Sequence, residues 1–230
     1  MKKKTLTIAI ALVLVVALAV GATWAYLTAQ TKAVTNTFTA GGAVAANDLT
    51  LKEHVATPNT DGSYKLDNTY LDEGKGNSYV VLPGVNLPKD PTVKVTAANG
   101  PYYLFVEVTK GTGFDEVTVG EGDAAKTGKP LDYTIAANWD ELSLTGKDET
   151  REVYVYYVTG TDSSKTYIQN AATNDIPVLL NDRVTVNADN DIIATLTAKS
   201  DANLTFQAYA CQAAGFKTAA EAFTACFGAK

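Results

Sequence analysis

The chain is short of the side chains on which most enzymes depend: among 230 residues it holds one histidine, two cysteines and one methionine. A zinc hydrolase normally needs two or three histidines, or a mixed set of His, Cys and carboxylate ligands, and His54 cannot supply one alone. There is no His-Glu-x-x-His helix, no Gly-x-Ser-x-Gly elbow and no glycine-rich phosphate loop, and no histidine stands beside either cysteine to activate it. The sequence therefore predicts no catalytic residue, no metal site, no cofactor and no enzyme, with a dispersed carboxylate site as the one catalytic option left open. His54 falls in Leu49-Thr50-Leu51-Lys52-Glu53-His54-Val55, an alternation in which an exposed polar residue is the simplest reading.

Positive charge is scarce as well. The chain carries 19 basic and 25 acidic side chains, a net of −6, and Lys2, Lys3 and Lys4 belong to an N-terminal segment expected to be removed. A basic stripe for nucleic acid or anionic lipid is missing, so no nucleic-acid partner is expected. An acidic balance favours solubility outside the cell. Asp189-Asn190-Asp191 and Asp61-Gly62-Ser63 offer oxygen ligands, but neither has the spacing of a calcium loop, and both read as turns.

What is present begins at the N-terminus. Met1-Lys2-Lys3-Lys4 is a positive n-region, Leu6 to Val20 is free of charge, and Gly21-Ala22-Thr23-Trp24-Ala25 places small residues for cleavage between Ala25 and Tyr26. The competing reading is an uncleaved anchor, because the uncharged stretch runs from Thr5 through Thr31 and is long enough to cross about 30 Å of hydrocarbon. Either way the domain is expected outside the cell, with the lysines left in the cytoplasm. Residues 1–25 are thus assigned to a signal peptide, 26–42 to an N-terminal segment and 43–230 to one β-sandwich domain, about 205 residues after cleavage and enough for one packed core.

Behind the signal, apolar and polar residues alternate with the period of strands. Val93–Ala97, Leu104–Val108, Arg151–Val158, Arg183–Val186 and Leu204–Tyr209 are the clearest. Asn36–Thr39, Leu49–His54, Tyr79–Leu82, Leu131–Ile135, Pro177–Leu180 and Ile192–Thr197 are further candidates. Turn signals such as Thr60-Asp61-Gly62 and Gly74-Lys75-Gly76-Asn77 separate them. The fold class predicted is all-β, an antiparallel, jelly-roll-like sandwich with a short C-terminal helix. Two strands, Tyr102–Val106 and Tyr154–Val158, are apolar or aromatic on both faces, which fits either a central strand with an outward tyrosine ladder or a subunit contact. The C-terminal helix has Thr218 as N-cap, Glu221 at the capping-box position and Phe223 and Phe227 four apart on one face. Cys211 and Cys226 are a disulfide candidate in an exported chain, contributing on the order of 3 kcal/mol, or else two small buried residues.

Certain residues resemble a known family. Gly21-Ala22-Thr23-Trp24-Ala25-Tyr26-Leu27-Thr28 with Asn36-Thr37-Phe38-Thr39-Ala40-Gly41 resembles the signal and early mature segment of the TasA/camelysin family. Leu82-Pro83-Gly84, Leu87–Val95, Asn99-Gly100 and Tyr103–Val108 resemble its Pro-Gly-turn strand pair, and Phe206–Ala210 its last core strand. The resemblance is weak between residues 110 and 175. It implies a secreted protein of a Gram-positive bacterium that is cut by a SipW-type signal peptidase and builds biofilm-matrix fibres. Its partners would be further copies of itself, and an accessory fibre protein. In such fibres each subunit's N-terminal strand completes its neighbour's sheet. The donor segment implied here is Ala33–Ala40, including Val34, Asn36 and Phe38, with Phe38 as anchor; the alternative is the first strand of the subunit's own sheet. Some members carry a metalloprotease label, for which a single histidine is a poor fit. A monomeric adhesin or glycan-binding module, supported by Trp139 beside Asp140 and Glu141 and by the tyrosine ladders, is the competing function.

Overall fold

The computed structural model describes residues 28–31, 36–37, 43–144, 148–198 and 201–228. In chain order the strands are β1 (Thr28–Thr31), β2 (Asn36–Thr37), β3 (Leu49–Lys52), β4 (His54–Pro58), β5 (Tyr64–Tyr70), β6 (Leu87–Pro88), β7 (Thr92–Val95), β8 (Tyr102–Lys110), β9 (Val117–Val119) and β10 (Lys126–Gly128). They continue with β11 (Leu131–Ile135), β12 (Trp139–Glu141), β13 (Arg151–Tyr156), β14 (Val158–Thr159), β15 (Lys165–Thr166), β16 (Ile168–Gln169), β17 (Ile176–Pro177), β18 (Leu179–Val186) and β19 (Leu204–Gln212). Two α-helices follow the same order, α1 (Asn190–Ala194) and α2 (Ala219–Phe227). No helix among the described residues is long and apolar enough to cross a membrane.

The largest sheet runs β12-β13-β8-β19-β1-β2, with β16 also paired to β8. Its centre is the antiparallel pair β8 and β19, in register from Leu204 opposite Lys110 to Gln212 opposite Tyr102. Opposite residues of an antiparallel pair share a face, so Tyr102, Leu104, Val106 and Val108 line up with Phe206, Ala208 and Ala210. Facing them are two three-stranded ladders, β17-β7-β3 and β11-β18-β6. Leu49, Val93, Val95 and Ile176 from the first and Leu131, Leu179, Val184 and Val186 from the second enter the same core. The result is an all-β antiparallel sandwich.

The outward face of the large sheet is buried too. Tyr103, Phe105, Val153, Val155, Tyr209 and Cys211 pack with Ala222 and Phe223 in a second cluster beneath α2. This accounts for the two-sided apolar pattern of Tyr102–Val106: the strand has sheet on one side and helix on the other, and its rings are covered rather than laddered in solvent. The helix starts where its residues dictate. Thr218 accepts the N–H of Glu221 at 3.1 Å, and the Glu221 carboxylate accepts the N–H of Lys217 at 2.9 Å. Phe223 and Phe227 then fall on the face toward Phe105 and Tyr209. Cys211 at the end of β19 is disulfide-bonded to Cys226 of α2, with the Cα atoms 6.5 Å apart.

Three strand expectations come out differently. Ile192–Thr197 is helix α1 running into a 3-10 turn, because the Asp189 carboxylate caps the N–H groups of Asp191 and Ile192. Tyr79–Leu82 is extended but joins no ladder. Pro177–Leu180 is split between β17 and β18, and β5 was missed. The two acidic turns are local: Asp61 accepts the N–H and Oγ–H of Ser63, and Asp189 caps α1 while pairing with Lys126. Opposite β11, the register of β18 shifts across Asn181 and Asp182, which sit at φ 58° and 49°. Asn and Asp are the non-glycine residues that adopt this left-handed region most readily.

Candidate functional site

The feature most open to a partner is the outer edge of β19. On one side β19 is paired along its whole length with β8. On the other, β1 pairs only at Thr28 opposite Cys211, Ala29 opposite Ala210 and Gln30 opposite Tyr209. The chain then folds back, and β2 pairs with β1 through Gln30–Thr37 and Thr31–Asn36. Leu204–Phe206 has no second ladder partner among the described residues. A cavity of about 260 Å³ flanks this stretch, lined by Leu51, Glu53, Lys89, Pro91, Leu204 and Phe206 among others.

These pairings place the expected site residues. The cleavage pair Ala25 and Tyr26 lies outside the described residues, as do Val34 and Phe38. Asn36 is described, and it sits in β2 next to β1, one strand removed from β19. The strand that reaches β19 is the earlier Thr28–Thr31, which sequence reasoning passed over because Thr-Ala-Gln-Thr has no large apolar residue. Trp139 offers no binding platform: it is 5 % exposed, packs edge-on to Tyr156, and donates its indole N–H to the Pro177 carbonyl at 2.9 Å.

Beside the open edge lies a buried charged cluster that sequence reasoning also missed. Glu53 and His54 come from the junction of β3 and β4, and Lys89 and Asp90 follow β6. Lys89 and Asp90 are both buried. Lys89 Nζ donates to Glu53 Oε2 at 2.8 Å and lies 5.4 Å from the ring centre of Phe206. His54 is not the exposed residue its alternation suggested. Its Nδ1 is 2.5 Å from Asp90 Oδ2, its N–H donates to Asp90 Oδ1 at 2.9 Å, and its ring stacks on Tyr70 with centroids 4.1 Å apart. The Tyr79 hydroxyl donates to the Pro88 carbonyl. Burial pushes its phenol pKa up, and the charges of Glu53 and Asp90 push it further. The β18 bulge adds Asp182, whose carbonyl accepts the Lys89 N–H at 2.8 Å. Burial raises the Asp182 carboxyl above its usual range, with Asp90 adding to the shift and His54 opposing it. Among the described residues no group of three or more His, Cys, Asp or Glu is placed to hold a metal ion.

The chain matches no family model, no curated protein and no solved structure.

Proposed function

We propose that the chain is an exported structural subunit that assembles into extracellular fibres, each copy lending its N-terminal strand to the β19 edge of the next. The observation that carries this reading is the pairing of Thr28–Thr31 with β19, directly behind the expected cleavage point at Ala25–Tyr26. Main-chain bonding across a sheet edge is tolerant of sequence, so a strand from another copy satisfies the edge as well as the chain's own. The same register, continued in a straight strand, brings Ala33 opposite Phe206 and Val34 opposite Thr205, along the stretch that β1 leaves uncovered. Opening the β1–β2 hairpin would thus lengthen the ladder. Cleavage by a SipW-type signal peptidase would free that strand, as the TasA/camelysin resemblance implies, and an accessory fibre protein would cap or nucleate the same edge.

The experiment compares a chain beginning at Tyr26 with one beginning at Gly41, by size-exclusion chromatography and negative-stain electron microscopy. Filaments from the first and folded monomers from the second are expected. Filaments from both would remove strand donation. Monomers from both would favour the adhesin reading, whose support is a cleft of about 720 Å³ bordered by Tyr103, Asp140, Leu142, Lys165, Tyr167 and Ile168. That reading predicts saturable binding of a glycan to the monomer.

A further inference from the structure

Between β5 and β6 the chain makes no strand, yet from Asn77 to Asn86 its residues alternate between half-buried and exposed. Up to Leu82 that is the pattern of an extended strand, and a turn closed by the Val85 N–H on the Leu82 carbonyl follows. The inward residues Tyr79 and Val81 pack on the core, while Val80 is 70 % exposed. With no ladder to hold it, this segment is fixed at its two ends by one carboxylate. At the start, Asn77 Nδ2 donates to Glu53 Oε1 at 2.8 Å and to the His54 carbonyl at 2.9 Å. Just past the end, Lys89 Nζ donates to the other oxygen, Glu53 Oε2, at 2.8 Å. The amine and carboxylate side chains are only 10 % and 13 % exposed. The carbonyl oxygen of the Asn77 side chain, Oδ1, accepts the backbone N–H of Ala56 at 2.8 Å.

These are the parts of an acyl transfer: an amine, a carboxamide whose oxygen already faces an N–H donor, and a carboxylate touching both nitrogens in a site screened from water. The geometry points to an intramolecular isopeptide bond between Lys89 Nζ and Asn77 Cγ, formed by the chain itself with Glu53 as the proton carrier. Glu53 takes a proton from the Lys89 ammonium, and the free amine attacks Cγ while the Ala56 N–H holds the negative charge developing on Oδ1. Glu53 delivers its proton to Nδ2, the Cγ–Nδ2 bond breaks, and the attacking nitrogen gives up its extra proton to Glu53. Ammonia leaves and takes that proton as ammonium. One amide replaces another, and no oxidant or reductant is required. The product closes residues 77–89 into a covalent loop, restricting the unfolded chain as a disulfide does, at an inward-packed segment that no ladder secures.

Tryptic mapping of the reduced, denatured mature chain by mass spectrometry tests this. An isopeptide at Lys89 blocks cleavage there, so the expected peptide runs from Gly76 to Lys94, uncut, and is lighter than its sequence by one ammonia. Lys89→Arg and Asn77→Ala should give peptides of full sequence mass. Glu53→Gln, checked for folding by circular dichroism, should do the same. A wild-type peptide that ends at Lys89 with full mass overturns the proposal. So does an ammonia loss that maps to a cyclic imide at Asn77 with cleavage after Lys89 intact. A cross-link that persists in folded Glu53→Gln overturns the role of Glu53.

Discussion

The two faces of the large sheet are buried by different means. Inward, the core is closed by strands drawn from two separate ladders and from distant parts of the sequence, including Leu49, Val93, Leu131, Leu179 and Val184. Outward, Tyr103, Phe105 and Tyr209 are covered by one nine-residue helix, and a helix this short has little stability of its own in water. The inward face is thus secured by many long-range contacts, and the outward face by a few side chains and one disulfide. The outward cover should be the first element to open when the protein is stressed.

Phe223→Ala should do the most damage to the outward cover. Phe223 is fully buried, meets Phe105, Tyr209 and Phe227 at centroid distances of 5.2, 5.6 and 5.3 Å, and lies under the Arg151 guanidinium. Truncating it should cost about 3–5 kcal/mol in urea unfolding. A loss below about 0.5 kcal/mol, within the range of an ordinary surface change, would mean that the helix does not cover the outward face in solution. Removing the disulfide with Cys211→Ala and Cys226→Ala should cost about 3 kcal/mol, as a 15-residue separation suggests. Dye binding to exposed apolar surface should then appear below the main unfolding transition, and a single sharp transition would show that both faces open together.

The same contrast explains what the sequence disclosed. The apolar residues of Tyr102–Val108 and Phe206–Cys211 identify the central strands, because those residues have sheet or helix directly above them. The capping residues Thr218 and Glu221 locate α2 because the signal is local. The charged cluster was invisible for the opposite reason. Glu53, Asn77, Lys89, Asp90 and Asp182 come from four separate segments, and within each the charge or amide reads as an ordinary turn or edge residue. Only the β18 bulge and the contact of Glu53 and His54 with Lys89 and Asp90 bring them together. Ile192–Thr197 was misread because its apolar residues fit a short strand as well as a helix turn, and the decisive group, the Asp189 cap, lies outside the run. The β1 strand escaped notice because pairing through main-chain atoms leaves no hydrophobic signature.

Adjacent residues of β13 place one charged side chain on each face of the sheet. Arg151 points outward to Glu107, and Glu152 points inward, accepting from Lys110 at 2.8 Å and from Tyr133 and Tyr154 at 2.9 and 2.7 Å. Burial opposes ionisation of Glu152, but the Lys110, Tyr154 and Tyr133 hydrogen bonds outweigh it and hold the carboxyl below its ordinary value. A carboxyl with a depressed folded pKa contributes stability above its unfolded pKa and loses it as pH falls through the folded value. Glu152→Gln should therefore cost about 1.5–3 kcal/mol near neutrality, the range of hydrogen bonds to a charged group. The deficit should shrink as the pH drops below the normal carboxylate range. A deficit that stays constant with pH would show that shape rather than charge is at stake.

The smallest expected effect has the opposite sign. Burial, with Asp90 close by, holds the Asp182 carboxyl above its usual value, so ionising it costs the folded state more than the unfolded one. Wild-type stability is therefore reduced as pH rises from the ordinary carboxylate range through the raised folded value. Asn keeps the size of the side chain, accepts the left-handed backbone at φ 49°, and carries no charge. Asp182→Asn should raise the melting temperature slightly at neutral pH and leave it unchanged in acid, where both side chains are neutral. A lower melting temperature at neutral pH would mean that the Asp182 charge supports the cluster through His54 and Lys89 more than it strains against Asp90.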